Sequence, residues 1–309
     1  MQYKIRRAKG SISMKIVCVL GGTGFVGSAI VRQLSEADYL VKVVTRDCQK
    51  GRHLASLKNV QLIECDPLNQ NALKQILKSA DVVINLIGIL HETSKASFEE
   101  IHTELPRKLA LICKELNIPR FIQMSALQAS TSAPSKYLRS KGQAEKFLAE
   151  FSKDLKITIF QPSVIFGPCD SFINLFAKLI KFLPAILLAK PNAKFQPIYV
   201  EDVAEAVTKS IQEKNTFGKT YPLAGPKIYT LLELIKLVAK QLNKKRLIIG
   251  LNDELSYLQA WAMEKLPKKM MTRDNLRSME IDSVSPQNFP DYLDFKPRPL
   301  ESILPSYIK

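Results

Sequence analysis

The sequence predicts an α/β protein: a doubly wound parallel sheet with a smaller mixed α/β C-terminal lobe. Two observations carry this reading. From Lys15 to Met124, apolar strand-like runs alternate with helical runs, as parallel crossovers require. A glycine turn spaced G-x-x-G-x-x-G follows the first apolar run and opens the first helix. The size bounds the rest. At 309 residues, 46% hydrophobic and 24% charged, the chain has material for one large or two modest domains.

The first strand, Lys15 to Leu20, carries no charge after Lys15, as a central parallel strand needs. Gly21 permits a tight turn, and Gly24 has no side chain to obstruct a pyrophosphate. Gly27 lets the new helix lie close to the sheet. A helix N-terminus offers free N–H groups and a positive dipole end to phosphates. In this context the motif predicts dinucleotide binding and a Rossmann-like fold.

A second strand, Leu40 to Val44, ends at Thr45-Arg46-Asp47. An acid at that tip would bind a ribose 2′-hydroxyl, whereas a guanidinium pairs with a 2′-phosphate. Arg46 favours NADP(H) over NAD(H), and Asp47 one residue on would reverse the preference. After a third strand, Val60 to Glu64, Asp66 is either an adenine contact or a turn residue before a helix from Gln70 to Lys78. The fourth strand and its exit, Asp81 to Gly88, place Asn85 and Gly88 toward the inner ribose. A helix from Ser97 to Leu116 follows, kinked at Pro106. Arg120 to Met124 makes a fifth strand leading to Ser125. Tyr137 and Lys141 are four apart, so they share one face of the next helix. An ammonium there would lower the phenol's pKa and suit it to proton transfer.

The net charge of +16 is spread along the chain, without the dense basic stripe and aromatics of a nucleic-acid protein. It favours anionic membrane surfaces or acidic partners. Five scattered cysteines contain no C-x-x-C pair, which indicates a reducing compartment and no disulfide framework; Cys18 and Cys65 read as buried thiols. No metal site is predicted, and His91 and His102 read as packing or solvent-facing. Residues 1–13 are basic and lack an apolar core, so they read as a disordered tail or as preceding a true start at Met14. The Rossmann-like domain is expected over 14–165 and the smaller lobe over 166–309, with a crossing between lobes around 190–230.

Within the second half, Phe172 to Leu183 reads as a helix with one broad apolar face, in the core or lying on a membrane. Lys194 to Val200 reads as a strand and Val203 to Gln212 as a helix capped by Asp202. Leu231 to Leu242 and Leu255 to Leu266 read as helices. Trp261, the only tryptophan, reads as packing or as an anchor. Pro286 to Pro305 predicts an irregular wrapping tail.

Gly21-Gly22-Thr23-Gly24-Phe25-Val26-Gly27, Ser125 and Tyr137-Leu138-Arg139-Ser140-Lys141 together resemble the extended and atypical short-chain dehydrogenases/reductases. Ile84 to Gly88, Phe121 to Ser125, Pro162 to Gly167, Gln196 to Val203 and Met271 to Leu276 resemble one branch of them. That branch contains the large NADPH-binding accessory subunit of respiratory complex I and its bacterial homologues. The resemblance implies that Thr23, Gly24, Phe25 and Val26 donate to the pyrophosphate, Arg46 holds the 2′-phosphate and Asp66 sits by adenine. Lys141 would hold the nicotinamide ribose, Tyr137 would be the proton donor, and Pro162 to Val164 would meet the carboxamide through backbone. The hydroxyl that positions a substrate carbonyl falls at Ser125, or its place is taken by Ala126 and the triad is incomplete. The resemblance further implies a protein on the cytoplasmic side, or in the mitochondrial matrix of a eukaryote, soluble or peripheral to the membrane. It would serve a respiratory or quinone-linked complex as a structural subunit. The alternative is an NADP-dependent oxidoreductase or epimerase acting on a small hydrophobic substrate.

Overall fold

The computed structural model describes residues 14–151, 154–266 and 269–309. The expectation for residues 1–13 lies outside these. Six strands follow in order: β1 (Ile16–Leu20), β2 (Leu40–Thr45), β3 (Val60–Glu64), β4 (Val82–Asn85), β5 (Arg120–Met124) and β6 (Lys156–Pro162). With the later strand Lys219–Leu223 they form one seven-stranded sheet. Its spatial order is Lys219–Leu223, β6, β5, β4, β1, β2, β3, and every pairing is parallel. The direction of winding reverses between β1 and β4, so the loops after these two strands open side by side at the carboxyl edge.

Alternation along β1 shows why the sheet is apolar throughout. Val17 and Val19 enter one core with Ile30 and Leu34 of helix Phe25–Glu36 and Val203 and Val207 of helix Val200–Ser210. Cys18 and Leu20 enter the other, with Leu73 and Leu77 of helix Gln70–Leu77, Leu109 of helix Leu105–Glu115 and Leu148 of helix Lys136–Glu150. Both faces are covered, so both residues of each strand repeat must be apolar. The expected burial of the Cys18 and Cys65 thiols holds.

The small lobe has its own core. Ile173 and Ile180 of helix Ile173–Phe182 meet Leu234 and Val238 of helix Leu231–Gln241 and Leu300 and Leu304 of helix Leu300–Tyr307. No helix among the described residues is long and apolar enough to cross a membrane.

Several local expectations are corrected. The helix forecast from Ser97 to Leu116 is present but changes pitch: a π-helical stretch, Glu99–Glu104, runs without a break into the α-helix Leu105–Glu115. Pro106, which has no N–H to give to the preceding turn, lies directly after the π-helical stretch, inside the helical run. The strand forecast from Lys194 to Val200 is split. Lys194–Phe195 pairs with Tyr229–Thr230, and Ile198–Tyr199 pairs with Ile165–Phe166. Asp202 does not cap the following helix, which begins earlier, at Val200. It is fully buried and accepts from the Arg298 backbone N–H at 2.7 Å and Nε at 2.6 Å. A buried carboxylate needs such a partner. The proline-rich end is not wholly irregular, since Leu300–Tyr307 is a helix that contains Pro305. Trp261 does not pack in the core and is 48% exposed.

Candidate dinucleotide site and its Tyr137–Lys141 end

The glycine loop sits where the sheet reverses. Gly21 has φ +79°, and a Cβ there would lie 3.1 Å from the Ile87 backbone, so the turn and the β4 exit are in contact. The loop closes with Gly24 N–H on the Gly21 carbonyl at 3.1 Å. A Cβ on Gly27 would lie 2.2 Å from the Gly21 oxygen and 2.6 Å from the Gly22 Cα. Gly27 therefore lets the helix lie against the loop backbone. Gly22 makes the close approach to the sheet: its Cβ would be 2.8 Å from Val43.

Gly24 is different. It is exposed, and a Cβ there meets only the Gly21 oxygen, at 3.3 Å. Helix Phe25–Glu36 starts immediately after it with no side-chain cap and no acid in its first turn. The first-turn N–H groups of Phe25, Val26 and Gly27 are thus presented at an exposed, uncapped, glycine-lined end. This donor set fits a diphosphate.

At the tip of β2 the two candidates separate. The Asp47 carboxylate accepts from Gln49 N–H at 2.9 Å, and its own N–H reaches Thr45 Oγ1 at 3.2 Å. It is held as the cap of a short 3-10 turn, Cys48–Gly51. Arg46 is exposed, beside Thr45, whose hydroxyl lies 3.5 Å from that of Thr23 in the glycine loop. Asp66 is likewise a turn residue, accepting from Leu68 N–H at 3.0 Å through one oxygen. Asn85 is fully buried; it donates to Gln123 at 2.9 Å and accepts from Ile87 N–H at 3.2 Å, which orders the β4 exit. The carbonyls of Pro162 and Val164 accept from Leu127 and Ile198 N–H.

The other end of the site is built on helix Lys136–Glu150. Lys141 is buried and donates to the Met124 carbonyl at 3.1 Å. A Cβ on the exposed Gly88 would lie 3.5 Å from both Lys141 Nζ and His102 Nε2. The expected lowering of the Tyr137 pKa does not occur. Burial pushes the phenol up to about 12 and brings Lys141 down to about 8. Lys141 is turned to a carbonyl, so desolvation decides both groups. Of the two residues after β5, Ala126 packs with Tyr137 and Leu138. The Ser125 hydroxyl is buried without a partner at hydrogen-bond distance, toward the Glu145 carboxyl.

Three residues to which the sequence assigns no role in the site belong to this end. His102 is fully buried, stacked on Phe98 and edge-on to Tyr137, each at 5.3 Å between ring centres. Its Nε2 accepts from Ile89 N–H at 2.9 Å, so Nδ1 carries the proton and donates to Ser140 Oγ, 3.0 Å away. A lone histidine in a helical run carries no signal of this. Glu145 extends the row Tyr137, Lys141 by one more helical turn and is held by Gln161 at 2.8 and 2.9 Å. Asp274 accepts from Lys136 N–H at 2.8 Å and Tyr137 N–H at 3.0 Å. The Met271 to Leu276 motif thus clamps the N-terminus of the helix that carries Tyr137.

Burial lowers the His102 pKa to about 2 from an ordinary 6.5. The unfolded chain binds this proton below pH 6.5 and the folded chain does not, so stability falls as the pH is lowered through that window. Urea midpoints are expected to show about 2 kcal/mol lost between pH 6.5 and 5. His102→Gln should flatten that slope; an unchanged slope would sink the assignment.

The family model described as the NAD dependent epimerase/dehydratase family matches residues 17–224. The Arabidopsis thaliana protein named NADH dehydrogenase (ubiquinone) 1 alpha subcomplex subunit 9, mitochondrial, is 38% identical over 74% of this chain. That match spans 58% of the Arabidopsis protein's length. The Mus musculus protein of the same name is 30% identical over 95% of this chain and 79% of its own. Among solved structures, dTDP-glucose 4,6-dehydratase from Bacillus anthracis in complex with NAD has a TM-score of 0.73 at 17% identity, covering 95% of both chains. At that identity the likeness is one of fold. With the parallel sheet, the glycine loop and these relatives in hand, the chain belongs to the NAD dependent epimerase/dehydratase family.

Proposed function

We propose that the chain is an NADP(H)-binding counterpart of the complex I subunit it is similar to, which keeps its dinucleotide as a brace and not for turnover. The observation that carries this is Ala126 against Tyr137, where a catalytic tyrosine needs a partner hydroxyl. A phenol held at about 12 with no such neighbour is a poor proton donor near neutral pH. A ligand that binds only the folded state stabilises it in proportion to its occupancy. Such a subunit serves assembly or stability of a respiratory or quinone-linked complex, on the cytoplasmic side or in the matrix. The names of the relatives support that placement.

A second reading is an active NADP-dependent oxidoreductase or epimerase on a small hydrophobic substrate. It is favoured by the Tyr137–Lys141 pair on one helix face, with Gly88 leaving space beside Lys141. Purification without added nucleotide, denaturation and mass spectrometry test the first reading, with near-stoichiometric NADP(H) the expected result. Tyr137→Phe separates the two. In the brace its nucleotide content and melting temperature match the wild type. In an enzyme, nucleotide affinity survives while turnover of the reduced cofactor is lost.

A further inference from the structure

The small lobe carries an exposed apolar face. Strands Ala185–Leu188 and Leu247–Gly250 pair in parallel, with Leu187 beside Ile249 and Ala185 beside Leu247. Ile186 and Leu188 enter the lobe core, so alternation turns Leu187, Leu247 and Ile249 outward, at 54%, 62% and 42% exposure. Phe182, just before the first strand, is 82% exposed. Helix Asp253–Glu264 lies alongside, tied by Gln259 Nε2 to the Leu187 carbonyl at 3.0 Å. It buries Ser256 and Ala260 and shows Leu255, Leu258 and Trp261 to solvent. So many large apolar side chains together are not the scattered exposure of an ordinary surface.

The charge around this face is mostly basic: helix Asp253–Glu264 brings Asp253, Glu254 and Glu264, of which Asp253 pairs with Lys190 and Glu264 with Arg273. Residues 171–190 and 240–250 contain six lysines, one arginine and no acid. Lys178, Lys181, Lys244 and Lys245 are exposed, and none has an ion pair among the described residues. The arginine, Arg246, is turned inward onto the Ile180 carbonyl at 2.8 Å. We propose that this face docks on an anionic lipid surface. Trp261, Phe182 and the aliphatic side chains would enter the headgroup boundary, and the lysines would meet lipid phosphates. The composition separates this from a protein partner. Protein interfaces favour arginine and deplete lysine, whereas membrane-surface elements combine lysine with aliphatic residues and tryptophan. Lysine ammonium groups on long stems reach the headgroups while the apolar side chains sink past them.

Trp261 is the only tryptophan, so its emission reports on this face alone. The full chain is mixed with phosphatidylcholine vesicles, with and without phosphatidylglycerol. Flotation with the anionic vesicles and a blue shift of Trp261 are expected, both weakened by salt. Changing the four free lysines to glutamine should lower vesicle affinity roughly a thousandfold. Phe182→Ser with Leu247→Ser should abolish the blue shift; these residues are outside the cores, and an unchanged melting temperature confirms folding. Equal binding to neutral vesicles overturns the proposal. So does a blue shift that needs only higher protein concentration, which would make the face an interface between two copies. Absence of binding to anionic vesicles at low salt overturns it as well. The result does not depend on which nucleotide the Rossmann-like domain holds.

Discussion

Gly27→Ala is expected to unfold much of what Gly24→Val leaves standing. Both belong to the same loop, but their surroundings differ. The added methyl at Gly27 would fall 2.2 Å from the Gly21 oxygen and 2.6 Å from the Gly22 Cα, both backbone atoms that cannot step aside. Forcing helix and loop apart should cost about 3 kcal/mol or more, a large share of an ordinary domain's stability. A melting temperature lower by about 10 °C is the expected reading for a chain of this size. At Gly24 the nearest atom is 3.3 Å away and the backbone is extended, with φ −79° and ψ 177°. A Cβ there asks the Gly21 oxygen to give by only a few tenths of an ångström, so the nucleotide-free melting temperature should move far less than in Gly27→Ala. What valine removes is access to the uncapped N–H groups. Wild-type protein should gain about 2.7 kcal/mol from NADPH at a hundred times its Kd. Gly24→Val should gain nothing from it. A full thermal shift in Gly24→Val would remove the diphosphate from this loop. A wild-type melting temperature in Gly27→Ala would show that the helix and loop are not in the contact described.

Arg46→Ala should weaken NADPH about thirtyfold, the scale of a lost charge-assisted hydrogen bond, and leave NADH nearly unchanged. Calorimetric titration of both nucleotides measures it. The geometry supports the expectation because one oxygen of Asp47 already accepts from Gln49 N–H, while Arg46 is exposed. Asp47→Ala should therefore cost about 1 kcal/mol as a lost cap and not change nucleotide preference. Equal losses of NADPH and NADH in Arg46→Ala would sink the 2′-phosphate assignment.

Local patterns with strong periodicity were legible in the chain. β3 and β5 run over the residues expected, and helix Gln70–Leu77 ends one residue early. Doubly covered parallel strands must be apolar on both faces, and a phosphate loop must have glycines at particular offsets. Such requirements are written into consecutive residues. Where two residues had equal claims, adjacency in sequence could not choose. What adds to the sequence at these two places is that Asp47 already accepts from Gln49 N–H and that Ala126 packs against Tyr137.

What the sequence by itself determined was the parallel α/β fold, the glycine turn, and the sharing of one helix face by Tyr137 and Lys141. These depend on spacing within single elements. Only the tertiary structure decided the protonation of the Tyr137 end, because the phenol's pKa follows burial, and burial comes from Phe98, His102 and the helix around it. The same holds for Asp274, whose carboxylate meets Tyr137 N–H across 137 positions of chain, and for Asp202, whose partner Arg298 lies 96 positions away. Long-range pairs have no period to read. They exist because a buried charge or an open helix end must find a partner wherever the fold delivers one.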